Sequence, residues 1–383
     1  MVGQQRALIV STGRDRGALT GARALGRVGW HVGIGTPIGG GMPGSSRESS
    51  AHHFVPKPRG DDSAFLRGVQ TAVDEGSYDI VFGGGDDWMA ALSAYKNRIP
   101  AVVAHPDKRA VDSGLDKVVL AETAEAVGLA APYTVSATPE ELSAWHGPVV
   151  VKCRAHWSQG QTRPHRIDAR LFPDTSSART QVDRILAAGA QPILQRPVNG
   201  GLSALIGIFH EGRLRARVQQ VSPRLFPTPY GASSRAVTVP VDEDLVARSE
   251  KLLGNLGWSG LVELQFLAGD DGTAHLTDLN GRFYGSMALA EKARPGLVDA
   301  WARTELGEAF PELSDGRAGV RYSWFAGDLR RAVRERRGGF ASDLLDSLRW
   351  GLRARHSVWD PRDPAPAGYL VTQRLQSLAP GKI

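Results

Sequence analysis

Apolar residues recur along this chain with two periods, and the switches between them mark its elements. "ALIVST" (7–12), "RGALTGARALGRVG" (16–29) and "HVGIGT" (31–36) read as strand, helix, strand. The outer two are apolar runs, and the middle one sets Leu19, Ala22 and Leu25 on one helical face. A Gly/Pro/Ser-rich loop (37–50) precedes a helix, "SAFLRGVQTAVDEG", and a strand, "YDIVFGG". The alternation predicts an open, mostly parallel α/β domain over 1–108. Beyond it, "LDKVVLAETAEAVGLAAPYT" is a helix stopping at Gly128 with Pro132 just past its end. "GPVVVKC" and "QPILQRPVNG" each hold a short strand, and "LSALIGIFHEGRLRARVQQ" reads as a hairpin turning at Glu211 and Gly212. A loop-to-strand segment (227–242), an amphipathic helix (244–258) and a second hairpin, "GLVELQFLAGDDGTAHLTDLN", follow. From 311 to 383 the pattern is helical and then Pro-rich. The expected units are 1–108, 109–195, 196–310 and a helical extension, 311–383.

The second hairpin carries the first chemistry. Alternate side chains of a strand share a face, so Asp278, Asn280 and Arg282 point one way while Val262, Leu264 and Phe266 form the apolar face of the first strand. Closing the turn on Gly269 and Gly272 sets Glu263 directly across from Asp278, and Asn280 opposite Leu261. Like charges in register destabilise a sheet unless something neutralises them. Two readings stay open. One is a wet outer face; the other is a divalent-cation site, with two carboxylates and an amide as hard oxygen ligands and Arg282 facing the same phosphates.

Composition narrows the class. The chain has 383 residues, 42% hydrophobic and 22% charged, ordinary for a globular protein of two or three units. Its single cysteine, Cys153, excludes an internal disulfide and an all-cysteine zinc cage. No apolar run approaches the roughly 20 residues of a membrane span, and the N-terminus lacks a signal-peptide pattern, so a cytoplasmic setting is expected. The net charge of +6 is spread among 40 acids, and no basic tract with interleaved aromatics suggests nucleic acid. "STGRDRG" lacks the G-x-G-x-x-G spacing of a dinucleotide site, which excludes a dehydrogenase built on the first domain. Only eight of the 46 basic residues are lysines, so each lysine's position is informative.

"VELQFLAGDDGTAHLTDLNGRFYGS" resembles the metal-binding end of the ATP-grasp superfamily, E-φ-x … E-φ-N-x-R-x-x-G-S. The resemblance implies that Glu263, Asp278 and Asn280 hold Mg²⁺ (or Mn²⁺) against the phosphates of ATP, with Arg282 on the transferred phosphoryl group. Asp278 stands where Glu is commoner. Gly281 replaces a frequent Pro, a change expected to be harmless for ligation. "DKVVLAETAEAVGLAAPYT" and "PVVVKC" resemble the segments whose lysines contact phosphate, which makes Lys117 and Lys152 nucleotide residues. "ILQRPVNGG" resembles the adenine-reading hinge at Gln195, Arg196 and Val198, with Arg196 where an acid is usual. The lid, "CRAHWSQGQTR", has one glycine, and Arg154 and His156 are its stand-in phosphate contacts. The resemblance runs over about residues 5–310 and implies a two-lobed ATP-grasp fold, with lobes at 109–195 and 196–310, behind the N-terminal α/β domain.

The chemistry so implied is ATP-dependent joining of a small-molecule carboxylate to an amine through an acyl phosphate, releasing ADP and phosphate. Arg235, in "YGASSRAVTVP", is the expected second cation for the incoming carboxylate, and Ser286 is expected to cap or pack the next helix. Specificity is expected from residues 84–88, 154–166 and 223–235. The C-terminal stretch is open to roles as a pocket closure, a homodimer surface or a cap on the core. A non-catalytic or regulatory nucleotide-binding protein of the same fold is the alternative.

Overall fold

Short apolar runs alternating with one-faced helices leave a sheet with helices on both sides as the way to bury them. The computed structural model describes residues 3–160, 167–228 and 231–378. In it β1 (Arg6–Val10), β2 (His31–Thr36), β3 (Ala51–Phe54), β4 (Ile80–Gly83) and β5 (Val102–Val103) form an all-parallel sheet ordered β3-β2-β1-β4-β5. Helix Arg16–Arg27 buries Leu19, Ala22 and Leu25, the face read from its spacing. No periodicity marks β3, an edge strand in which only His53 is buried. The strand order reverses between β1 and β4, so the loops after them splay into a crevice at the carboxyl end of the sheet. Open α/β sheets bind ligands at such a point.

The first lobe is a four-stranded antiparallel sheet of β6 (Thr134–Ser136), β7 (Val149–Cys153), β8 (Arg170–Phe172) and β9 (Pro192–Gln195), ordered β6-β9-β7-β8. Helix Thr175–Leu186 covers it with Ala178, Val182 and Ile185. The second lobe is a seven-stranded sheet ordered β14-β13-β10-β11-β12-β15-β16. Its strands are β10 (Leu202–His210), β11 (Arg213–Phe226), β12 (Ala232–Val239), β13 (Gly260–Ala268), β14 (Ala274–Asn280), β15 (Arg321–Ser323) and β16 (Arg355–His356). The β10–β11 hairpin turns at Glu211 and Gly212, both at positive φ.

The C-terminal stretch corrects one expectation. It is not a purely helical extension: β15 and β16 lengthen the second-lobe sheet, and helices Phe325–Glu335 and Phe340–Gly351 pack beside them. Strands of two and three residues are too short to show a period of two. No helix among the described residues is long and apolar enough to cross a membrane.

Two large cores join the first domain to the second lobe. One unites Val81 and Trp88 with Trp258, Leu264 and Leu279; the other unites Phe82 with Phe283 and Trp301, the Phe82 and Trp301 rings 4.8 Å apart. Gly17 allows a close approach, since a Cβ there would lie 2.5 Å from the Tyr284 carbonyl oxygen. The crevice is thus held against the chain that leaves β14.

Candidate active site

The β13–β14 hairpin sets the site. Its turn closes between Gly269 and Thr273, one residue later than the sequence reading placed it. Alone, that slip would turn Asp278 and Asn280 to the face opposite Glu263. A bulge at Thr277 takes up the extra residue, because Phe266 pairs with Leu276 while Gln265 pairs with Asp278. Glu263 therefore lies across from Asn280 rather than Asp278, and all three side chains share a face. Val262, Leu264 and Phe266 fill the core behind. Glu263 and Asn280 are only 2% and 3% exposed, so this is no wet outer face.

A polar chain runs from Glu263 into the first domain. The Asn280 and Gln265 amides donate to Glu263 Oε2 at 2.9 and 3.0 Å. Arg282, in the loop after β14, donates from Nη2 to Asn280 Oδ1 at 2.6 Å and from Nε to Asp86 Oδ1 at 2.8 Å. His156 Nδ1 meets Asp86 Oδ2 at 2.6 Å. Lys117, buried, forms an ion pair with Asp278. Asp116 caps the helix that Lys117 begins, accepting from Val118 and Val119, and Arg154 Nε donates to its other oxygen at 2.7 Å. Of the two lid stand-ins, Arg154 thus steadies the start of the Lys117 helix and His156 faces the crevice. Residues 161–166 of the lid and 229–230 of the 223–235 loop lie outside the described residues.

The charges here are unevenly matched. Burial pushes the Glu263 carboxyl up to about 7 against the opposing pull of Arg282 and Asn280. Burial also works on Asp278, but Lys117 and His156 outweigh it and hold that carboxyl below its usual range. Asp86 is likewise buried, and Arg282 and His156 keep it well below the carboxylate range. Glu263, Asp278 and Asn280 line a common cavity of about 300 Å³. This donor set, two carboxylates and an amide, is what a hard divalent cation prefers. Glu263 is the member short of positive charge, so the residues fit such an ion.

A second, smaller cavity of about 200 Å³ lies between the lobes, lined by Lys152, Gln195, Arg196 and Val198 on one side and Gln265, Leu267 and Asp278 on the other. Asp278 borders both cavities. Gln195 is fixed by Thr134, its Nε2 donating at 2.8 Å. The Arg196 guanidinium turns aside to bond the His146 carbonyl and stack 4.2 Å over Trp145, so an acid's usual task there is not taken up by this side chain.

Scans against protein-family models and curated proteins find no match. Solved structures do match. The L-amino acid ligase from Bacillus licheniformis is 14% identical, with 80% of this chain and 75% of that one covered at a TM-score of 0.60. N5-carboxyaminoimidazole synthetase from Staphylococcus aureus is 12% identical, covering 83% and 80% at 0.60. The biotin carboxylase domain of Hydrogenobacter thermophilus 2-oxoglutarate carboxylase, solved with MgADP and bicarbonate, is 12% identical, covering 82% and 73% at 0.62. The chain has the ATP-grasp fold.

Within that ATP-grasp frame, three placements differ from the sequence reading. Arg235 does not reach either cavity. A bulge at Ser234, where Arg224 pairs with Arg235 but Leu225 with Ser233, separates it from Ser233, which does line the cavity. Its guanidinium donates to Asp328 at 2.7 Å, Asp346 at 2.9 Å and Ser347 at 3.2 Å, pinning the C-terminal helices. Ser286 makes no capping bond and instead lies 3.4 Å from Glu263 Oε1. Gly281 is not interchangeable with a larger residue, because a Cβ there would stand 2.0 Å from Trp258 Cζ2.

Arg16 is a site residue that sequence reasoning missed, and Asp86 was reached only as part of the 84–88 stretch expected to supply specificity. Arg16 opens the helix after β1 and lines the 300 Å³ cavity together with Asp86. Their neighbourhood follows from the reversal of strand order, which no local pattern reveals. The only available signals were the glycine-flanked "GRDRG" and "GGGDD".

Proposed function

We propose that this protein is an ATP-dependent carboxylate–amine ligase, forming an amide or peptide bond between two small molecules. The observation that carries the reading is the polar chain Glu263–Asn280–Arg282–Asp86–His156. It starts at a cation-fitted donor set and ends in the switch-point crevice, so a phosphoryl group and an acid can meet at Arg282. Lys152, Gln195, Val198 and the backbone of Arg196 hold the nucleotide between the lobes. Glu263, Asp278 and Asn280 hold Mg²⁺ or Mn²⁺, which supplies charge neutralisation for phosphoryl transfer. Lys117 balances Asp278 and contacts phosphate. Arg282, already fixed by Asp86, presents its guanidinium to the phosphoryl group as a preorganised clamp. Arg16, rather than Arg235, orients the acid. The acid's oxygen attacks the γ-phosphorus, ADP leaves, and the amine then displaces phosphate from the acyl carbon. His156, held by the Asp86 carboxylate, accepts the proton the amine gives up.

The test is a screen of amino acids and small acids, with and without amines, for stimulated ADP release. The ligase reading predicts release that depends on a particular acid and yields an amide when an amine is supplied. ATP binding with no release for any acid would favour the non-catalytic nucleotide-binding alternative.

A further inference from the structure

The switch-point crevice holds more positive charge than phosphoryl transfer uses. It is a cavity of about 510 Å³ beside Arg282, within the size range of small-molecule sites. Its three carboxylates are already engaged. Asp86 meets Arg282 and His156, and Asp87 accepts from Arg59 at 3.2 Å. Asp15 accepts from the Thr12 amide and hydroxyl at 2.8 and 2.6 Å, and its burial favours the neutral acid.

Against these stand Arg14, Arg16 and Lys57, all lining the cavity. Salt bridges among the described residues include none to these three. Arg16 is held by neutral groups, donating to the Tyr322 hydroxyl at 3.1 Å and lying 3.9 Å over the Trp324 ring. Arg14, in the loop after β1, and Lys57, in the loop after β3, are exposed. Three cations lining one cavity repel one another and focus a field that an anion relieves. The reacting carboxylate accounts for Arg16, which borders this cavity and the 300 Å³ one alike. Arg14 and Lys57 are left over.

The geometry points to an acid substrate that carries a second anionic group, carboxylate or phosphate, held by Arg14 and Lys57 while its reacting carboxylate lies against Arg16 and Arg282. This inference deepens the ligase reading and rests on it.

Calorimetric titration of the full chain with MgADP present tests it on two pairs, glutamate against its isostere glutamine and phosphoserine against serine. At least one acid with the extra charge binds about tenfold more tightly than its neutral partner, and which arm responds identifies the second group. Arg14→Gln and Lys57→Gln each shrink that preference severalfold, and added salt shrinks it as well. Equal binding within both pairs, binding of neither charged acid at millimolar concentration, or a preference untouched by both substitutions would overturn the inference. ADP release separates the two levels. Release driven by neutral acids alone keeps the ligase reading and removes the second anionic group. Charge-selective binding without release for any acid keeps the anion site and removes the reading.

Discussion

Glu263 shows how tightly single residues are constrained here. It is buried, and the nearest guanidinium is shared with Asp86, so its own charge is only partly compensated. Two neighbours of the polar chain are just as confined. Gly281 sits between Asn280 and Arg282 with Trp258 filling the place of a side chain. Gly281→Ala is expected to cost about 1–3 kcal/mol by overpacking and to weaken MgATP binding. A denaturation midpoint equal to that of the wild type would contradict this. His105 joins the end of β4 to the same residue, since the Gly83 amide donates to its Nε2 at 2.7 Å and its Nδ1 meets the Gly281 carbonyl at 3.0 Å. Burial lowers its pKa from 6.5 to about 3, so the ring is neutral in the fold. The unfolded chain therefore binds more protons between those values, and stability is lost as pH falls below the unfolded pKa. Relative to His105→Gln, the wild type should lose about 3 kcal/mol by pH 4. Urea melts with the same acid dependence in both proteins would show that His105 takes no part.

At the scale of elements, two bulges decide which side chains reach the site. Period-two alternation made the faces of β13 and β14 legible, because burial on one side demands it. The pairing was not legible: the extra residue at Thr277 carries no mark in a sequence of ordinary strand formers. The same limit misplaced Arg235, whose strand looks regular until Ser234 turns it toward Asp328. Lys117 begins a helix, Lys152 stands one residue before the end of β7 and Gln195 ends β9, so a sequence signature at an element's edge marked each position. Arg16 carried no such mark, and Asp86 was marked only as part of the 84–88 loop, since strand order brings their loops together. The Arg235 network makes its own prediction. Asp328 is fully buried and accepts from Arg235 at 2.7 Å and Arg331 at 3.2 Å. Removing one partner of a buried pair strands the other, so Asp328→Ala should lower stability by about 3 kcal/mol or more. An unchanged thermal midpoint would show that the C-terminal helices are pinned by other contacts.

Across the whole molecule, the shared cores matter more than any one lobe. Trp258 and Leu279 pack with Val81 and Trp88, and Trp301 with Phe82, so the parallel sheet and the antiparallel sheet present their functional edges to one another. The cleft between the lobes and the crevice of the first domain then converge on Asp278, Arg282 and Asp86. We propose that this convergence is an ATP–metal site, and nucleotide titration tests it without knowledge of the acid. ATP should bind the wild type about tenfold or more tightly with Mg²⁺ than with a chelator, and Glu263→Gln and Asp278→Asn should abolish that increment while keeping the wild-type circular dichroism spectrum. Equal ATP affinity with and without Mg²⁺, or an increment that survives both substitutions, would contradict it.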